Sequence, residues 1–209
     1  GGSSVGEVTL FDLVKTSMRH RPDILVVGEV RGQEAYVLFQ ALATGHGGMC
    51  TMHAENLDSA VKRLTQKPMD ISPAYIPLMN IVLSIQRVHL VKGTEKKAYR
   101  RVMNVNEIAD YEDYRSTFKW NPANDSHLPA FDKSLMLSAI SERTGISKKD
   151  LIAEIDRRKN VLHWMRERSI RSYKDVAAII AEYYARPRQI YEKVLAGEEV
   201  KVVAVSGNP

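Results

Sequence analysis

Residues 23–54 constrain the fold more than any other stretch of this chain. Asp23-Ile-Leu-Val-Val-Gly-Glu-Val-Arg-Gly32 is a short apolar run, largely β-branched, that ends in an acid. A continuous run of this kind suits a parallel strand buried on both faces. Gln33 to Thr44 then takes a helical period, with Ala35, Leu38, Phe39 and Leu42 on one face. A glycine-rich turn, Thr44-Gly-His-Gly-Gly48, leads into a second short strand at Met49-Cys-Thr-Met52, with His53 at its end. In a parallel arrangement Glu29 and His53 meet at the carboxyl edge of the sheet, where ligands of open α/β sheets bind.

The flanks extend the pattern. Thr9 opens a helix, with Asp12 three residues on and Leu10, Val14 and Met18 at helical spacing, and Pro22 stops it. Asn56 caps a helix carrying Ala60, Val61 and Leu64. The stretch from Pro68 to Pro77 breaks the pattern before a long strand candidate, Ile81 to Val91. Strand, helix, strand, helix, strand predicts an α/β fold with a largely parallel sheet. After the polar turn Lys92-Gly-Thr-Glu-Lys-Lys97 the character changes. Ala98 to Ala109 reads as a strand, and Arg115 to Trp120 pairs with it as a hairpin.

From Asp132 onward the pattern is helical. Ser147-Lys-Lys-Asp150 and Ser172-Tyr-Lys-Asp175 are capping boxes, and Pro187 starts a last short helix that ends near Gly197. Val202, Val203 and Val205 in the tail suit an added strand or a disordered end. The expected division is 1–92, 93–131 and 132–209.

Composition sets limits. With 44% hydrophobic and 26% charged residues, the chain is of ordinary globular type, and no apolar run approaches the roughly 18 residues a membrane span needs. Cys50 is the only cysteine, so no internal disulfide forms; it is expected to pack within a strand. One cysteine and two histidines seven residues apart give no zinc cluster. The net charge of +5 divides as +1 over residues 1–92 and +4 over 93–209, a mild basic bias compatible with an acidic protein surface or anionic lipid.

Three polar residues carry the chemistry. Glu29 can hold magnesium through water, or orient and deprotonate an attacking water; the plainer alternative is an acid pairing with Arg31. His46, among Gly45, Gly47 and Gly48, can donate to a phosphate oxygen or serve as a hydrogen-bonded loop histidine. His53 adds an imidazole at the edge of Glu29. No Gly-x-x-x-x-Gly-Lys-[Ser/Thr] loop occurs in the 209 residues, and the chain opens on Gly-Gly without a methionine. The expectation is the second half of a phosphate-handling machine, whether an internal fragment or a processed product.

Arg21-Pro-Asp-Ile-Leu-Val-Val-Gly-Glu-Val-Arg-Gly32 and Thr44-Gly-His-Gly-Gly-Met-Cys-Thr-Met-His-Ala54 together resemble the Walker B segment and histidine box of the type II/type IV secretion ATPases. The form Gly28-Glu-Val-Arg-Gly32 and the lead-in Val8-Thr-Leu-Phe-Asp-Leu-Val-Lys15 are most similar to the archaeal branch that serves archaella and archaeal pili. The resemblance is specific over residues 7–65 and looser beyond. It implies the C-terminal part of a RecA-like P-loop ATPase core, followed by a β-hairpin and a mostly helical region. It also implies ATP and Mg2+ as cofactors, a homo-hexamer, a membrane platform protein as partner, and a cytoplasmic position at the inner face of the membrane.

By resemblance Glu29 is the Walker B glutamate, and His46 and His53 are the histidine-box pair near the γ-phosphate. Arg31 belongs to active-site or subunit-contact architecture, Gly45 to the nucleotide-facing turn. Gly28 stands where many P-loop ATPases carry a magnesium-binding aspartate. The Walker A loop, the acidic box and the nucleotide-covering domain of the family lie outside these residues, so the chain alone is expected to be inactive.

The rival reading is a helix-turn-helix-like nucleic-acid-binding module or a conjugation-type DNA-transport module. Leu135–Glu142, Thr144-Gly-Ile-Ser147 and Asp150–Arg158 imitate a helix-turn-helix with Lys148 and Lys149 at the second helix start. Asp150, Glu154 and Asp156 on that second helix argue against a phosphate-facing surface, so helix packing or protein docking is the expected use.

Overall fold

The computed structural model describes residues 8–92 and 95–200. The chain divides into two compact units, with the boundary after Met136.

The first unit begins with helix α1 (Leu10–Ser17). Thr9 and Asp12 close a reciprocal capping box around its first turn, and a left-handed Arg21 ends the short 3₁₀ extension at Met18–His20. Strand β1 (Ile24–Val27) follows, then α2 (Glu34–Ala43), β2 (Gly47–Cys50) and α3 (Leu57–Thr65). β1 and β2 pair in parallel, Ile24 opposite Gly47 and Val27 opposite Cys50. The second strand therefore starts two residues earlier than its apolar run, because Gly47 N–H donates to the Asp23 carbonyl at 2.9 Å and sets the register there. Asn56 caps α3, accepting from Ser59 N–H at 2.9 Å.

Leu25 and Val27 enter a core with Val30, Ala35, Leu38, Phe39, Val61 and Leu64. The expectation of a strand buried on both faces is corrected: Ile24 and Val26 are 59% and 74% exposed, because the helical layer covers only one face of this two-stranded sheet. Cys50 lies in the strand but is exposed rather than packed.

A second sheet holds β3 (Ile81–Lys92), β4 (Glu95–Asp110), β5 (Asp113–Asn121) and β6 (Ser126–Pro129), all antiparallel and in sequence order. This corrects the expectation that the strand from Ile81 joins the parallel sheet. Twelve residues of β3 pair with β4, and local hairpin closure takes all of that edge. β6 adds a further strand to the expected hairpin. It forms because Arg101 makes a bidentate pair with Asp125 at 2.6 and 2.7 Å, and Trp120 Nε1 donates to the same carboxylate at 3.1 Å. This triad pins the left-handed turn at Asp125.

Where the chain leaves this sheet, the buried Glu107 of β4 accepts from Ser134 Oγ at 2.6 Å and from the backbone N–H groups of Leu135 and Met136 at 2.5 and 2.9 Å. These are orphan donors of the first turn of α4 (Leu135–Thr144).

The second unit contains α5 (Lys148–Glu167), α6 (Tyr173–Ala185) and α7 (Pro187–Ala196), packed through Val161, Trp164, Met165, Ile179, Tyr183, Ile190 and Val194. Ser147 caps α5, accepting from Asp150 N–H at 3.2 Å. Ser172 makes no side-chain cap at α6, which corrects the second capping box. Gly197 ends α7 in a left-handed conformation. Val202, Val203 and Val205 fall outside the described residues.

Glu107→Ala strands two amides and a hydroxyl in a buried place. It is expected to cost about 1–3 kcal/mol, read as a lower urea midpoint at unchanged slope.

Candidate active site

The carboxyl edge of the parallel pair is stitched past the end of both strands. Thr51 Oγ1 donates to the Gly28 carbonyl at 2.5 Å, and Val30 N–H donates to the Thr51 carbonyl at 2.9 Å. Val30 is buried, so the loop after β1 points one residue inward and leaves its two neighbours, Glu29 and Arg31, at the edge. His53, two residues past Thr51, arrives at the same place. Its Nε2 lies 3.8 Å from one Glu29 oxygen, and Arg31 Nη2 lies 4.0 Å from the other.

The Glu29 side chain is one-third exposed, while His53 and Arg31 are 91% and 76% exposed. Open pairs at this separation contribute on the order of 0–1 kcal/mol. Fold stability does not account for bringing them together; an accessible carboxylate flanked by an imidazole and a guanidinium is a chemically usable edge. A single reachable carboxylate also suits a cation that keeps most of its water ligands, as magnesium does. Among the described residues no group of three or more His, Cys, Asp or Glu is placed to hold a metal directly.

His46 is elsewhere. It precedes β2 whereas His53 follows it, so the two histidines stand at opposite ends of the strand. The His46 ring turns back on the end of α2, with Nδ1 3.2 Å from Thr44 Oγ1 and 3.3 Å from the Ala41 carbonyl. The glycines around it have local work. Gly45 holds a φ of +96°, and a Cβ on Gly48 would stand 2.6 Å from Leu42 Cδ2, so the bare backbone lets β2 lie against α2.

Two supporting residues are not evident from the sequence patterns. Arg63 of α3 donates from Nη1 to the His53 carbonyl, tethering the loop that carries the imidazole. Glu34, the first residue of α2, is buried and accepts through Oε1 from the N–H groups of Arg31 at 2.7 Å and Gly32 at 2.8 Å. Burial pushes the Glu34 carboxyl up, but the backbone N–H groups of Arg31, Glu34 and Gly32, with the Arg31 charge, outweigh it. The result lies below the ordinary value near 4.5. An acid three residues after Arg31 and two after Gly32 is the only trace of this arrangement in the sequence.

Residues 3–127 match the family described as type II/IV secretion system protein, and residues 125–207 match the PilB3-like C-terminal family. The chain belongs to the type II/IV secretion ATPase family. The chain is 36% identical over 167 residues to the uncharacterized protein MJ1287 of Methanocaldococcus jannaschii, covering 77% of this chain and 60% of that protein. It is 32% identical over 194 residues to MJ0900 of the same organism, covering 88% of this chain and 34% of the relative. The conjugal transfer protein TrbB of Rhizobium radiobacter is 37% identical over 110 residues, covering 52% of this chain and 32% of TrbB. The chain thus spans from one-third to three-fifths of the length of these relatives. In that family the parallel pair and its helices are the α/β C-terminal part of a RecA-like core, with the antiparallel sheet and a helical region after it.

The lowered Glu34 carboxyl makes a pH prediction. A carboxyl depressed in the folded state stabilises it above its ordinary value, and the contribution fades as pH falls through the folded value. Urea unfolding of wild type and Glu34→Gln should therefore differ at pH 7, and the difference should shrink below about pH 4.5.

Proposed function

We propose that this chain is the catalytic-edge portion of an ATP-driven secretion motor that works in protein export or in the assembly of pili or archaella. The observation that carries the reading is the meeting of Glu29, Arg31 and His53 at the carboxyl edge of a parallel strand pair. Hydrolysis of ATP adds water across the terminal phosphoanhydride and releases ADP and inorganic phosphate. Glu29 is suited to orient that water and accept its proton. His53 is suited to donate to an oxygen of the terminal phosphate, and Arg31 to offset charge at the same edge or on a neighbouring subunit. Magnesium, when bound, neutralises phosphate charge.

The motor is proposed to be a homo-hexamer of the archaeal type, seated at the cytoplasmic face of a membrane beside a platform protein. Among the described residues no helix is long and apolar enough to cross a membrane. The +4 charge of residues 93–209 suits contact with acidic loops of such a partner.

A helix-turn-helix use of α4 and α5 has less support. Arg157 and Arg158 of α5 are occupied by Glu154, at 2.8 Å each, and Tyr183 donates to the same carboxylate at 3.1 Å. Burial pushes the Glu154 carboxyl up, but these donors hold it below the ordinary carboxylate range, so the pairing persists at neutral pH.

In the full-length protein carrying these residues, Glu29→Gln is expected to keep ATP binding within a few fold while turnover falls roughly 10²-fold or more, the loss typical of a positioned base. Turnover within a few fold of wild type, with binding intact, would demote Glu29 to a structural acid.

A further inference from the structure

Glu34 is a buried carboxylate that the hydrolytic reading does not use. Burying a carboxylate is costly unless its charge and lone pairs are met, and here Oε1 takes two backbone N–H groups, those of Arg31 and Gly32. The other oxygen occupies the space beside Gly32 where a side chain would begin: a Cβ there would stand 2.8 Å from Oε2. Gly32 and Glu34 are thus a matched pair, the missing side chain of one housing the carboxylate of the other.

The loop they close is the one that carries the reactive groups. Its first half is held from β2, through Thr51 to Gly28 and Val30. Its second half is held from α2, through Glu34 to Arg31 and Gly32. Between the two anchors, Glu29 and Arg31 face each other at 4.0 Å. Without the second anchor the Arg31 backbone is tied on one side only, and its exposed guanidinium has no other fixed geometry. We propose that Glu34 is a positioning residue, which fixes the Arg31 backbone and through it the Arg31–Glu29 relation at the carboxyl edge. The inference rests on the hydrolytic reading of that edge. A residue that merely capped α2 would stabilise the helix and leave the edge untouched.

Two measurements separate the alternatives. In the 209-residue chain, amide hydrogen exchange followed by NMR reads the anchor directly. Glu34→Ala should speed exchange at Arg31 and Gly32 by about 10-fold or more, as expected when a local bond opens below the global limit. The Val30 amide, bonded to Thr51, should keep its rate. Glu34→Gln, which retains an acceptor oxygen, should restore most of the protection even if the alanine variant folds poorly. In the full-length ATPase, Glu34→Ala should lower kcat about 10- to 100-fold with KM little changed, the penalty of a misplaced group. Combined with Arg31→Ala it should be no worse than Arg31→Ala alone. Unchanged exchange at Arg31 and Gly32 in a folded Glu34→Ala chain overturns the proposal, as do losses that multiply in the double variant. A wild-type protein with no ATPase activity removes the hydrolytic reading instead, and the exchange experiment still decides whether Glu34 holds the loop.

Discussion

Everything usable in this protein hangs on the parallel pairing of β1 with β2 and its continuation beyond both strands. Parallel strands bring their carboxyl ends to one edge, and the bonds from Val30 to Thr51 and from Thr51 to Gly28 carry the contact beyond the last ladder pair, Val27 and Cys50. That extension decides which way successive residues point. Val30 goes into the core, so Glu29 and Arg31 stay out, and His53 emerges beside them. A shift of one residue in β1 would bury the acid and expose the valine.

The register is protected by packing rather than by the polar groups themselves. Gly47 must approach the Asp23 carbonyl and Gly48 must pass under Leu42, and neither place has room for an ordinary side chain without a shift. Leu25 and Val27 then share one buried core with Leu38 and Phe39 of α2. The Glu29, Arg31 and His53 side chains, open and loosely spaced, add little to stability. Scaffold and chemistry are separable here: apolar contacts and backbone bonds place the edge, and its polar side chains remain free to engage a ligand.

Local signals in the sequence were legible where one element decides the outcome. The Thr9 box, the Asn56 cap, the helical face of Ala35, Leu38 and Phe39, and the Pro187 start need only nearest neighbours, and each forms as its pattern implies. Outcomes set by distant partners were not legible. β3 has the composition of a core strand, but its pairing went to the adjacent β4. β6 exists because Asp125 meets Arg101 from 24 residues away. Ser172 carries a capping pattern and makes no cap. At the site, motif spacing grouped both histidines, whereas strand direction separates them. Glu34 was invisible because an acid at the start of a helix is ordinary, and only its burial beneath Gly32 marks it.

In the proposed motor the phosphate end of the nucleotide meets the carboxyl edge of β1 and β2. The most direct measurement is histidine side-chain NMR of the full-length protein with magnesium and a non-hydrolysable ATP analogue. The His53 ring signals are expected to move on nucleotide addition, while those of the His46 ring, tied to Thr44 and Ala41, move far less. A shift at His46 with none at His53 would contradict it.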